Sequence, residues 1–372
     1  MKRDVIVIGG GVIGCSIALR LAQSGLKVSL FERGRTGCEA SRAAAGMLSP
    51  QTEGLHPGLF FDFCFHSRQM YPSFVEEVIQ LSGIDPQYRS EGTLFVLMEG
   101  ETQADCDHWA EWQVKAGLAL ERLNADETLK MEPALTKSAS GAIFLPDDHQ
   151  IENRLLMDAL SVATRRAGAD LIEGVEVESI IVEKGRARGI KAGGERIESG
   201  MVVAAAGSWS TSLLATAGID LNIVPVRGQM IALRSDSTLI RHVLHANDCY
   251  IPPRLDGRIL VGATVERIGF KKAVTAKAIN LLLHSAMELV PALESCEIVE
   301  TWCGLRPDTA DHLPVIGFCD IENLVLATGH YRNGILLAPI TAKLVAETIL
   351  QGREPEELKP FRAERLYSVS SM

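Results

Sequence analysis

The chain has 372 residues, 47% of them hydrophobic and 23% charged, with a formal net charge of −10. That length suits two domains and that balance an ordinary globular protein, while the acidic charge excludes nucleic acid or an anionic membrane surface as a main partner and leaves small molecules. No apolar run approaches the roughly eighteen residues of a membrane span, and the glycines that interrupt the first apolar stretch favour a strand over a secretory signal.

The first strand, Asp4-Val5-Ile6-Val7-Ile8, feeds Gly9-Gly10-Gly11-Val12-Ile13-Gly14. A helix pattern follows with Ile13, Ile17 and Leu21 on one face, and a second strand, Val28-Ser29-Leu30-Phe31-Glu32, ends in an acid. This is a complete βαβ dinucleotide grip. Gly9 permits the tight turn, Gly11 lets backbone amides and the helix N-terminus approach a pyrophosphate, and Gly14 allows the helix to pack close on the strand. Glu32 stands eighteen residues after Gly14. A carboxylate there accepts hydrogen bonds from ribose hydroxyls and repels a 2′-phosphate, which favours FAD or NAD over NADP.

The small residues of 41–47 suit a loop lying against a flat cofactor, or an ordinary connection. Helices are expected over 62–82 and 104–116, with a strand over 92–98 between them. Asp147-Asp148-His149 reads as a polar loop, and the nine histidines lack metal-ligand spacing, so no metal is expected. From residue 151 the α/β pattern returns with an amphipathic helix over 155–167 and strands over 169–173 and 175–182. A hairpin arm over 190–197 turns at Gly193-Gly194, and a buried strand over 201–207 leads to a loop carrying Trp209. A second β-rich stretch opens with the strand 224–233. It contains the clearest local hairpin, Cys249-Tyr250-Ile251 and 258–262 joined through Asp256-Gly257. A strand over 324–327, a glycine-bounded loop over 328–334 and a helix over 335–350 complete the chain, and 368–372 reads as a disordered tail. Alternation of this kind suggests two interleaved domains. The eight cysteines show neither a Cys-x-x-Cys pair nor a disulfide-framework spacing, which suits reduced thiols and a cytoplasmic setting.

Two arginines have unusual neighbours. Arg306 lies in Trp302-Cys303-Gly304-Leu305-Arg306-Pro307-Asp308, and Arg332 in His330-Tyr331-Arg332-Asn333-Gly334 at the mouth of the last helix. Each is either a planar fork for a carboxylate or a surface salt bridge. The loop ending at Gly334 either aims a positive helix end at a flavin, stabilising the reduced ring, or is a well-capped turn.

Val7 to Gly11, Ser41-Arg42-Ala43-Ala44-Ala45-Gly46-Met47-Leu48, Cys249-Tyr250-Ile251-Pro252-Pro253-Arg254, Gly304-Leu305-Arg306-Pro307 and Gly329-His330-Tyr331-Arg332-Asn333-Gly334-Ile335 occur in the right order over nearly the whole chain. Together they resemble the D-amino acid oxidase family of FAD-dependent oxidoreductases, in its glycine oxidase branch. The resemblance implies an α/β fold: a Rossmann-type FAD-binding domain (1–84, 142–223 and 305–367) interleaved with an antiparallel-sheet α+β substrate domain (85–141 and 224–304). It implies non-covalent FAD and oxidation of glycine, sarcosine or small D-amino acids to an imine, which water converts to a 2-oxo acid. Oxygen would accept the electrons to give hydrogen peroxide. It further implies service to thiamine thiazole synthesis and a homotetramer.

Carried over residue by residue, Arg306, Tyr250 and Arg332 would hold the substrate carboxylate. FAD would lie against Gly9, Gly11, Val12, Ile13 and Gly14, then Glu32, Arg33, Ser41, Arg42, Ala45, Gly46 and Met47. Val177, Trp209, His330, Arg332, Asn333, Gly334 and Ile335 complete that expected lining. Oxidising a C–N bond in this way needs orientation of the α-hydrogen and an unprotonated amine, and no acid or base side chain is compulsory. Two departures, Asp248 two residues before Tyr250 and Val265 near an expected pocket position, bear on substrate range. Cys303 stands close enough in sequence to Arg306 to raise a covalent flavin tether, but its neighbours match the non-covalent pattern. The rival readings are a D-amino acid dehydrogenase serving a quinone, an NAD-dependent dehydrogenase and a nucleotide-binding module without catalysis.

Overall fold

The computed structural model describes residues 3–53, 56–101, 103–246 and 249–367, so Asp248 and the tail 368–372 lie outside the described residues. Strand β1 (Arg3–Ile8) leads through the glycine turn into α1 (Val12–Gln23) and back to β2 (Val28–Glu32), which runs parallel to β1. Val5 and Val7 pack into one core with Ile17 and Leu21 of α1, while Ile6 and Ile8 enter another with Val202 and Leu326. Burial on both faces explains why the strand reads as an unbroken apolar run.

The chain next forms α2 (Ala40–Ala43), β3 (Met47–Leu48), α3 (Pro50–Glu53) and the long α4 (Leu59–Ser82). The open loop expected over 41–47 is corrected by α2: the amides of Arg42 and Ala43 both donate to the Glu39 carbonyl at 3.2 Å, closing a helical turn. Strand β4 (Thr93–Met98), α5 (Gln103–Lys115), β5 (Glu121–Asn124), α6 (Ala125–Met131) and β6 (Ala139–Leu145) follow, with β6 antiparallel to both β4 and β5. Strand β7 (His149–Gln150) pairs with β3, and α7 (Asn153–Arg166) leads to β8 (Asp170–Glu173) beside β2.

Strands β9 (Val177–Glu183), β10 (Arg186–Ala192) and β11 (Glu195–Ala204) bring a second correction. The expected turn at Gly193-Gly194 joins β10 to β11, but the arm after it and the expected buried strand are one strand, because β11 pairs antiparallel with β10 up to Glu198 and parallel with β1 from Ser199 onward. Gly200 permits this close passage, since a Cβ there would stand 3.0 Å from the Asp4 carbonyl oxygen. Trp209 closes a 3-10 turn (Gly207–Trp209) ahead of α8 (Ser210–Ala215).

The second β-rich stretch holds β12 (Val224–Arg234), β13 (Val243–His245), β14 (Tyr250–Ile251), β15 (Arg258–Val261), α9 (Ala276–Leu289) and β16 (Glu297–Asp308). The expected hairpin over 249–262 is present, held by the antiparallel bridges Tyr250 to Gly262 and Pro253 to Ile259 and by bonds from the Arg254 amide to the Arg258 carbonyl at 2.8 Å and from the Leu260 amide to the Pro252 carbonyl at 3.1 Å. Its arms join different sheets, ordered β14-β13-β4-β6-β5 and β15-β12-β16. All pairs in these sheets are antiparallel except β13 with β4. Strands β6 and β16 run unbroken through the expected domain boundaries at 141/142 and 304/305.

Strands β17 (Val315–Phe318) and β18 (Leu324–Thr328) complete a main sheet ordered β17-β18-β11-β1-β2-β8, with β10 and β9 branching from β11. The last long helix, α10 (Ala338–Gln351), begins three residues later than expected. Pro339 sets that start: a proline lacks an amide and fits only the first turn of a helix. Residues 334–337 form turns instead. The fold is α/β, a doubly covered mixed sheet with a parallel centre, β18-β11-β1-β2-β8, joined to a mainly antiparallel layer. Among the described residues no helix is long and apolar enough to cross a membrane.

Candidate active site

The main sheet and the β12–β16 ladder meet around a cavity of about 410 Å³. Gly9, Gly11, Val12 and Ile13 form one wall. Gly9 has φ +107°, and a Cβ on it would overlap the Ala205 carbonyl. Gly14 does not line the cavity; a Cβ on it would overlap the Gly9 carbonyl, so its part is helix-to-turn packing. The N-cap of helix α1, Gly11, gives no side-chain cap bond and the first turn holds no acid, so its positive end faces the cavity with only the Val12 amide taken, by Ser41. Glu32 lines the same wall, with its carboxylate pinned by the amides of Gly10 and Gly34, each at 2.8 Å.

Ser41, Ala45, Gly46 and Met47 form a second wall. The Ser41 hydroxyl accepts from the Val12 amide at 2.9 Å, tying this segment to the start of α1. Gly46 has φ +71°, and a Cβ there would overlap the Ile151 carbonyl. Buried Arg254 braces the segment by donating to the Ala45 carbonyl and to Gln150 Oε1, and it pairs with Glu152 at 3.0 Å. Burial pulls its guanidinium pKa down to about 10. Arg42 is corrected: it leaves the cavity and forms an exposed pair with Asp158 at 2.9 Å. At the rim, Val177 lines the cavity beside Trp209, and the Arg33 guanidinium lies 3.8 Å from the Trp209 ring centroid.

The third wall comes from the two arginine segments, joined by a bond from the Tyr331 amide to the Pro307 carbonyl at 2.9 Å. Arg306, Tyr250, Arg332, Asn333, Gly334 and Ile335 all line it. Helix α4 fixes this loop, with Tyr71 Oη donating to the Ile335 carbonyl and Ser67 Oγ to the Leu336 carbonyl. The amides of Gly334 and Ile335 donate to no acceptor among the described residues. His330 also borders the cavity, but its ring bonds Thr341 Oγ1 at 3.2 Å, and burial drives its pKa down to about 3. It is a neutral structural histidine.

Arg306 donates to the Thr264 carbonyl at 3.0 Å and meets no carboxylate among the described residues. Tyr250 packs its ring against His245, with centroids 6.3 Å apart. Arg332 is paired with Glu53 at 3.2 Å, and the Glu53 charge raises its pKa. Sequence reasoning passed over Glu53, Gly228 and Met230, which also line the cavity. The two-residue spacing of Gly228 and Met230 on β12 carried a usable signal, whereas Glu53 sits on a helix of only four residues with no pattern.

The Asp147 to His149 segment is corrected from a polar loop to a buried brace. Asp148 is fully buried and accepts from the Gln51 amide at 2.9 Å, the Thr52 amide at 2.7 Å and Thr52 Oγ1 at 2.5 Å. Burial pushes its pKa up to about 7 against those bonds. His149 contacts Tyr88 Oη at 2.5 Å, and burial, helped by Arg68, lowers its pKa to about 4. Val265, expected near the pocket, is 53% exposed and lines no part of it. Among the described residues no group of three or more histidines, cysteines or acids could hold a metal.

A glycine turn that admits a pyrophosphate, a ribose-directed acid, a small-residue wall and two unpaired amides facing the cavity together suit an adenine dinucleotide with a flat ring system. The fold and this site define an FAD-dependent oxidoreductase. The family described as FAD dependent oxidoreductase, DAO, matches residues 4–348. The glycine oxidase of Bacillus licheniformis is 38% identical over 370 residues, covering 99% of each chain. The crystal structure of glycine oxidase from Geobacillus kaustophilus superposes with a TM-score of 0.92 at 36% identity, covering 97% of this chain and 98% of that one. A bifunctional ThiO/ThiG protein of Synechocystis is 36% identical over 375 residues, covering 99% of this chain but 55% of its own length. The chain belongs to the DAO family of FAD-dependent oxidoreductases, and its cofactor is FAD.

Proposed function

We propose that the protein is a glycine oxidase, acting on glycine, sarcosine and small D-amino acids with oxygen as acceptor. The observation that carries this reading is Arg306, an arginine without an acid partner in the same cavity as the dinucleotide walls. A guanidinium so placed binds a carboxylate through two parallel bonds. Tyr250, on β14 of the other sheet, adds its hydroxyl to the same cavity. One bond to Thr264 holds the fork still, so substrate orientation is set before the reaction. Small residues around the second wall leave room for a flat ring.

FAD held by the Gly9 turn, Glu32 and the 41–47 segment would supply a two-electron acceptor for the hydride of the amine's α-carbon, with oxygen as final acceptor and hydrogen peroxide as product. The substrate leaves as an imine, which water hydrolyses to a 2-oxo acid and ammonia or an amine. We also assign residues 1–84, 142–223 and 305–367 to cofactor binding and 85–141 and 224–304 to substrate binding, with the two crossing strands as their seam. Non-covalent FAD, a homo-oligomer, a cytoplasmic setting and service to thiazole formation belong to the same reading, and the ThiO/ThiG relative supports the last of these alone.

The test is anaerobic mixing of the yellow holoenzyme with glycine, sarcosine and D-alanine, followed by oxygen-electrode assays. Bleaching followed by oxygen uptake is the expected result. Bleaching without oxygen uptake would point to a dehydrogenase, and no bleaching by any amine would remove the enzymatic assignment.

A further inference from the structure

The two arginines of the third wall differ in charge balance. Arg306 faces the cavity without an acid partner among the described residues, whereas Arg332 Nη2 lies 3.2 Å from Glu53 Oε1. Glu53 is held in place: its amide donates to the Ser49 carbonyl at 3.2 Å, and the two preceding amides of α3 are anchored on buried Asp148. Its side chain is 21% exposed, and that of Arg332 is 35% exposed. The third wall therefore offers one uncompensated guanidinium and one neutralised pair, and the other lining arginine, Arg33 at the rim, is paired with Glu39 at 3.6 Å.

We propose that Glu53 determines substrate charge: by neutralising Arg332 it confines the site to amines bearing a single carboxylate and rejects those bearing a second one, such as iminodiacetate. The proposal rests on the oxidase reading of this cavity. A glycine carboxylate is matched by Arg306. A second carboxylate would find no free cation and would meet the like charge of Glu53, an unfavourable burial that discriminates by repulsion. Replacing Glu53 by glutamine keeps the shape, removes the charge and frees Arg332 to take the second carboxylate as a fork. Because the pair is partly exposed, solvent screens it and the effect is moderate.

The experiment compares wild type, Glu53→Gln, Glu53→Asp, Arg332→Gln and the double variant Glu53→Gln/Arg332→Gln as FAD holoenzymes. Oxygen uptake gives kcat and KM for glycine and iminodiacetate, and flavin absorbance titrations give the affinities of acetate and malonate without turnover. In Glu53→Gln the iminodiacetate-to-glycine ratio of kcat/KM is expected to rise about tenfold or more, mainly through KM, with the malonate-to-acetate affinity ratio moving the same way. Glu53→Asp should stay near wild type, and the double variant should lose the gain. An unchanged ratio in Glu53→Gln, or a gain that persists in the double variant, overturns the proposal. Should Glu53→Gln fail to retain FAD, Arg332→Gln decides: leaving Glu53 unpaired should weaken malonate relative to acetate, and no such change overturns it. Wild-type flavin that neither amine reduces would defeat the oxidase reading alone, because the acetate and malonate titrations still report charge selection.

Discussion

Gly228 and Arg306 are diagonal neighbours on the β12–β16 ladder, where Gly228 pairs with Gly304 and Arg306 with Val226, and they lie so close that a Cβ on Gly228 would overlap the Arg306 guanidinium. The absence of a side chain at 228 is what gives the carboxylate fork its place. Gly228→Ala is therefore expected to displace the fork and lower kcat/KM for glycine toward that of Arg306→Ala, with FAD still bound. Loss of the charge-assisted pair and its orientation in Arg306→Ala should cost about 3 to 5 kcal/mol. Steady-state kinetics with flavin content measured in parallel check both variants. Near-normal turnover in either would move the clamp elsewhere.

Glu32→Ala should weaken FAD binding by about 1.5 to 3 kcal/mol, since the ribose loses a charged acceptor. The carboxylate also holds the amides of Gly10 and Gly34, so part of the loss reflects a looser turn. Titrating apoprotein with FAD and following flavin fluorescence measures it. Equal affinities in wild type and variant would separate this acid from the cofactor.

Much of the site was legible because local chemistry dictated it. The Gly9 turn, the acid at Glu32 and the strand-to-helix order follow from contacts within some thirty residues, where spacing alone carries the geometry. The full length of β11 was not legible for the opposite reason. Its parallel partner β1 lies far along the chain, and Gly200 has the same local appearance whether it breaks a strand or lets two strands pass closely. Arg42 was carried over with its conserved-looking neighbours, although a four-residue helix turns its side chain toward Asp158. Glu53 and Asp148 left no trace in periodicity, because one tertiary contact between two short segments makes both of them important. The late start of α10 could have been read from Pro339.

Acid should destabilise the fold through its buried histidines. Burial holds His330 at about 3 and His149 at about 4, against about 6.5 in an unfolded chain. Between those values the unfolded chain binds protons that the fold refuses, so stability present above about pH 6.5 is lost as pH falls. Asp148 acts with the opposite sign: raised to about 7, it binds its proton in the fold first and favours the fold as pH falls from about 7 to about 4. Two histidines outweigh one aspartate. His330→Gln keeps a polar partner for Thr341 and removes one titration, so its urea stability should fall less steeply between pH 6.5 and 4.5, by about 1.4 kcal/mol per pH unit. Parallel profiles for wild type and variant would contradict this.

FAD should come away from the denatured protein, and Cys303 is the residue on which that expectation turns. On β16, between Trp302 and Gly304, it pairs in register with Gln229 of β12. The next four residues, Gly304 to Pro307, all line the cavity, while Cys303 does not. A tether would require the thiolate to reach the ring from outside the cavity wall. The cavity approach beside it is closed as well, because Gly304 lies so near Ala43 that a Cβ there would stand 2.5 Å from the Ala43 Cβ. A thiol in that position acts as a small apolar side chain. Acid precipitation of the holoenzyme is therefore expected to leave the yellow colour in the supernatant, and Cys303→Ser should retain FAD and turnover. A yellow pellet in wild type that turns colourless in Cys303→Ser would establish the tether and overturn this assignment.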